Sequence, residues 1–270
     1  MKKIITICDA AYDVLTTANP DEKAQKTFEY VTYWQNKDIT KIGKVALPKR
    51  PSRLTIPKLL PATLMPKRAK AGSMKNKIAL LHALAHIELN AIDLAWDIVG
   101  RDFTLGSFKL PTKFYDDWLK VAKDEAKHYQ LLTTRLQELG TNYGDLPAHD
   151  GLWESSMKTA GDFAARLAVV PMVLEARGLD VVPSMITNMQ KQQDLETAKI
   201  LQIIHDDEIT HVAAGTKWFK AWCLHYNLDT KKHWQQLVCT YFQSNLKRPF
   251  NDDSRHKAGL IRDWYEALAD

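Results

Sequence analysis

Cysteine is scarce in this chain: Cys8, Cys223 and Cys239 are the only three among 270 residues, and no two are spaced as CxxC. An odd, scattered set leaves a disulfide framework, a zinc ribbon and a fused rubredoxin module without support, and it is the usage expected in a reducing cytoplasm. Long apolar runs are missing as well. The most apolar stretch, 163–174, already contains Arg166 and falls short of the ~20 residues a helix needs to cross a bilayer, so no membrane partner is expected. The N-terminal apolar run ends by Asp9, too short for a secretory leader. Flavin and nicotinamide motifs are absent, and so is any clear strand-like alternation of apolar and polar residues. What remains is an all-α chain long enough to bury a sizeable core.

Acid is nearly missing from one segment. Between Lys37 and Lys77 stand twelve Lys and Arg against a single Asp38, a net +11 in a chain of net +5, which leaves the remainder at −6. The same segment holds Pro48, Pro51, Pro57, Pro61 and Pro66. Proline at this density forbids a continuous helix and favours extended chain. The segment reads as an arm wrapping the main body, or as a collar that attracts an anionic substrate, small or tRNA-like, through Lys49, Arg50, Arg53, Lys58, Lys67 and Arg68. It has no Phe, Tyr or Trp, so it offers bases nothing to stack on.

Helical periodicity fills most of the rest. An amphipathic N-terminal stretch runs to about residue 36, with Ala10, Val14, Phe28, Val31 and Trp34 as its buried positions. Longer helices are predicted over 74–99 and 112–139, each followed by a glycine, then over 154–177, closed by Gly178 and interrupted by Pro171, which should bend or bulge it. A short helix should open near Pro183, a long one should cover 194–226, and two more should cover 234–242 and 254–268. The implied regions are 1–73, an N-terminal helical segment with the basic arm; 74–226, a four-helix bundle; and 227–270, a helical extension.

Two of these helices carry the same local motif, Asp124-Glu125-x-x-His128 and Asp207-Glu208-x-x-His211. A shuffled chain of this composition would hold about 0.03 copies of it. Residues three apart share a helix face, so each Glu and His can reach a common ion. Each motif lies in an apolar stripe, where a carboxylate is expensive unless paired, protonated or metal-bound. Glu88 and Glu175 occupy similar apolar stripes on the preceding helices, 37 and 33 residues before Glu125 and Glu208. The order Glu, ExxH, Glu, ExxH describes two repeated antiparallel helix pairs. Four Glu and two His in a bundle core are the ligand set of carboxylate-bridged di-iron and di-manganese proteins.

On these residues, and on the stretches LLHALAHIELNAIDLAWD, KDEAKHY, VPMVLEARGLD and HDDEITHVAAG, the chain resembles the ferritin-like superfamily, in particular a bacterial branch distantly similar to tRNA-modifying di-iron hydroxylases. The resemblance covers about Lys75 to Cys223. It implies two iron ions, with manganese as the alternative, held by Glu88, Glu125, His128, Glu175, Glu208 and His211. It further implies that Asp207 orients His128 and Asp124 orients His211. The activity implied is an O2-activating oxidoreductase that takes electrons from a separate reductase. Iron storage or peroxide scavenging of the rubrerythrin type is the alternative, and a metal-free adaptor on a relic bundle the third.

His82 and His86 are four apart but lie 240° and 200° around the helix from Glu88, so they are expected to hydrogen-bond against the N-terminal region rather than to bind the same ion. Tyr129 adjoins His128 and reads as a packed core tyrosine.

Overall fold

The structure, a computed structural model, describes residues 5–65 and 73–270. Among these residues every regular element is helical, and no strand is present. Extended segments meet only at three isolated bridges, Thr6 with Lys41, Leu59 with Ala148, and Leu246 with Ala269. The contacts divide the chain into two compact units: Met1–Asp102 with Tyr115–Trp153, and Phe103–Phe114 with Glu154–Asp270.

In the first unit the N-terminal amphipathic stretch forms two helices, α1 (Ile7–Thr16) and α2 (Pro20–Gln35). The break is local chemistry. The Asn19 side chain accepts from the backbone N–H groups of Asp21 and Glu22, and Pro20 opens the helix where its missing N–H costs nothing. Phe28 is only half-buried, whereas Ala10, Val14, Val31 and Trp34 are in the core. Both helices pack on α3 (Met74–Gly100). The crossing of α1 over α3 is close: a Cβ on Gly100 would stand 2.7 Å from that of Ala11. Trp96 of α3 donates to Thr27 Oγ1 of α2 at 2.9 Å. α4 (Thr112–Glu138) follows.

α3 is long and apolar enough by length and composition to cross a membrane, which corrects the placing of the most apolar stretch at 163–174. Its apolar window is 72% buried within the fold, as in a core helix.

The arm is tied to this unit along its backbone. The N–H groups of Ile7 and Cys8 donate to the carbonyls of Lys41 and Ile42, Ser52 N–H donates to Leu15 O, Leu60 N–H donates to Ala148 O, and Ala148 N–H donates to Lys58 O. Several of its cations are used in place: Lys44 pairs with Asp102, Arg50 with Asp150, and Arg53 with Asp93. Lys49 and Lys58 are exposed. Lys67 and Arg68 lie outside the described residues.

The second unit holds α6 (Phe163–Val169), a π-helical turn (Val170–Glu175) and α7 (Ala176–Lys191), continuous with one another, then α8 (Leu195–His225), α9 (Thr230–Tyr241), α10 (Asp252–Lys257) and α11 (Arg262–Tyr265). The short α5 (Gly151–Met157) precedes them. The helix expected to end at Gly178 runs on to Lys191, and Pro183 lies inside it instead of opening a new one. The expected bulge at Pro171 is present as the π turn. Arg166 is buried because Thr159 Oγ1 and the Ser156 carbonyl accept from its guanidinium, at 2.9 Å each. A three-residue link turns α7 back onto α8, so the two run antiparallel. The C-terminal segment is clasped by Arg255, whose guanidinium donates to both oxygens of buried Asp180 at 2.8 and 2.7 Å.

Candidate metal centre

Within the first unit, α3 supplies Glu88 and α4 supplies Glu125 and His128. The two helices run antiparallel, since the loop after α4 meets the N-terminal half of α3: Gly144 N–H donates to His82 Nε2 at 2.9 Å. Glu125 and His128 are fully buried and Glu88 nearly so. His128 Nδ1 lies 3.3 Å from Glu88 Oε2 and 3.5 Å from Glu125 Oε2. One ligand atom from each of the three falls within 4.8 Å of the others, close enough for one ion. Burial pushes the Glu88 carboxyl well above the usual carboxylate range, the Glu125 charge adds to this, and the bond to His128 opposes it. Two carboxyls and an imidazole packed without solvent form an oxygen-rich donor set in which a divalent cation would take the place of the proton that burial favours.

The second unit carries the matching Glu–His pair. Glu208 and His211 are buried on α8, with His211 Nδ1 3.4 Å from Glu208 Oε1. Glu175 ends the π turn and is half-buried. Asp124 and Asp207, each next to an ExxH glutamate, are also half-buried. Asp124 Oδ2 accepts from Lys120 at 2.6 Å.

His82 and His86 find their partners in the loop after α4 instead of the N-terminal region. Tyr143 stacks on both rings, and its hydroxyl lies 2.7 Å from His86 Nδ1. Burial lowers the His86 pKa to about 3, so the ring is neutral. Tyr129 is buried as expected, and its hydroxyl donates to Asp21 at 3.3 Å.

Sequence reasoning alone overlooks a buried ionic group on α3. Asp93 lies five residues after Glu88 and meets both Lys23 of α2 and Arg53 of the arm. Arg53 also donates to Asn90, which donates to the His86 carbonyl. An acid among Ala91, Ile92, Leu94 and Ala95 is the signal that would have found it.

A family model described as "Protein of unknown function (DUF455)" matches residues 16–266. The chain belongs to this family. A Haemophilus influenzae protein described as uncharacterized is 36% identical over 266 residues, covering 93% of this chain and 90% of the relative. No solved structure matches the chain.

Proposed function

We propose that this DUF455 protein is a cytoplasmic di-iron oxidoreductase of ferritin-like architecture. In this reading Glu88, Glu125 and His128 join Glu175, Glu208 and His211 around one two-metal site, and manganese is the alternative ion. The observation that carries it is the repetition of one arrangement: in each unit an ExxH helix buries its Glu and His against each other, and in the first a glutamate from the neighbouring helix completes the trio. Oxygen-rich ligation with two imidazoles suits redox iron or manganese better than structural zinc.

Bound iron would supply O2 activation. The chain's own part is to hold the ligands, keep water out and fix the imidazoles. Asp207 and Asp124 are proposed to orient His128 and His211, an arrangement that raises ligand basicity. Electrons would come from a separate reductase. The substrate is proposed to be anionic, small or tRNA-like. Among the described residues of the arm, Lys37, Lys41, Lys49, Lys58 and Lys75 are exposed and would face it, whereas Arg50 and Arg53 are engaged by Asp150 and Asp93.

The test is anaerobic loading with Fe(II), metal analysis, and optical spectroscopy during exposure to O2 and, separately, to hydrogen peroxide. Two irons per chain and a fast O2-dependent spectral change are expected. No bound iron in the wild-type protein, with Glu125→Ala indistinguishable from it, would end the reading. Reaction with peroxide far faster than with O2 would favour the scavenging alternative. Binding of tRNA is expected to weaken steeply with salt; salt-insensitive binding, or none, would remove the anionic substrate.

A further inference from the structure

The π turn in the second unit rests against a glycine that leaves no room for any other residue. A Cβ built on Gly215 of α8 would lie 2.5 Å from Pro171 Cγ and 2.6 Å from Pro171 Cβ, with Met172 Cγ at 3.6 Å. The first two distances are shorter than real Cβ contacts, and a pyrrolidine ring has no rotamer with which to escape. Gly215 follows His211 by four residues and Glu208 by seven, so all three share one stripe of α8. The proline ring is therefore seated on the stripe that carries two of the candidate ligands.

The consequence falls on Glu175. Pro171 has no N–H to give, and its ring clashes with the carbonyl four residues back in a regular α-helix. The chain adopts the wider turn, in which Ala176 N–H reaches Pro171 O, five residues back. A single wide turn holds one extra residue, so side chains beyond it are rotated by about 100° relative to a straight helix. Glu175 is the last residue of that turn. Its direction depends on the turn being kept.

We propose that Pro171 and Gly215 form a register lock: the ring forces the wide turn, the missing side chain lets the turn seat on α8, and together they aim the Glu175 carboxylate. Pro171 and Gly215 are positioning residues that act through Glu175. The assignment of Glu175 as a metal ligand rests on the function proposed above, whereas the lock itself does not require a metal.

The experiment compares wild type, Gly215→Ala, Pro171→Ala and Glu175→Ala by two measurements. Hydrogen exchange of the 172–176 amides is followed in metal-free protein, and anaerobic Co(II) titration is followed by visible absorption. Gly215→Ala is expected to speed exchange in 172–176 at least tenfold. Both lock variants are expected to weaken one of two Co(II) ions at least tenfold, as Glu175→Ala does, while the spectrum of the ion that stays is unchanged. General destabilisation would weaken both ions together. Should Gly215→Ala fail to fold, Pro171→Ala decides, because it removes the ring and restores an N–H without adding an atom to the contact. Wild-type exchange rates and wild-type Co(II) binding in the lock variants would overturn the lock and leave the two-metal reading intact. Absence of Co(II) binding in the wild type would overturn that reading, and the exchange rates would still decide the lock.

Discussion

Lys23 and Asp93 meet inside the first unit with neither side chain touching solvent, Nζ to Oδ1 at 2.5 Å. Arg53 closes on the other oxygen of the same carboxylate. One anion thus serves two cations, and removing it strands both. Asp93→Asn is expected to cost about 3–5 kcal/mol, the range for breaking a buried pair from one side. Urea unfolding would measure it, and a loss below about 1 kcal/mol would mean that the two cations find water.

The same lysine makes stability depend on pH. Burial pulls the Lys23 pKa down from 10.5 to about 8, although Asp93 pulls the other way. Below pH 8 the group is protonated both folded and unfolded and adds no slope. Between about 8 and 10.5 the unfolded chain holds the proton that the folded chain has released, so the free energy of unfolding rises with pH. Lys23→Met lacks this term. The stability of wild type relative to Lys23→Met should therefore rise by about 1–2 kcal/mol from pH 7 to pH 9.5. A difference constant across that range would refute the lowered pKa.

Tyr143→Phe isolates one hydrogen bond. The ring keeps its stacking on His82 and His86, at centroid separations of 5.2 and 6.1 Å, while His86 Nδ1 loses its hydroxyl partner. A buried polar atom left alone costs about 1–3 kcal/mol. Tyr143→Ala should cost more by the lost ring, and equal losses in the two variants would show that stacking contributes nothing.

Gly100→Ala would drive a methyl into Ala11 at 2.7 Å and into Leu47 at 3.2 Å. Overpacking of this kind costs about 1–3 kcal/mol. Adding Ala11→Gly should recover most of the lost thermal stability, and no recovery would place the strain elsewhere.

The all-helical fold and the buried ExxH pairs were legible because both depend on short-range spacing. Glu125 and His128 share a face whatever surrounds the helix, and an acid in an apolar stripe announces burial. Helix ends were less legible. Asn19-Pro20 is a start signal hidden inside a stretch that is apolar at helical spacing on both sides. Gly178 imitates a helix end, but the chain continues because α7 packs along α8, and tertiary burial outweighs the small helix cost of one glycine. The partners of His82 and His86 were out of reach for another reason. Tyr143 is 57 residues from His86, and no local pattern encodes a contact across that distance. Arg53 was read as a rim charge because charge counting cannot tell an exposed cation from one turned inward onto Asp93.

The first unit is interrupted in sequence by twelve residues that belong to the second. Phe103, Phe108 and Phe114 make ring contacts with Phe163, Trp222 and Trp218 at about 5.4–5.5 Å, all of which come from later in the chain. A ribosome that has released only the first 153 residues has therefore made every part of one unit together with a loose aromatic strip of the other. Chaperone capture and protease cleavage should concentrate on that strip until the chain is finished. A truncation at residue 153 would leave the three rings bare, so splitting the protein between its units calls for a permuted chain.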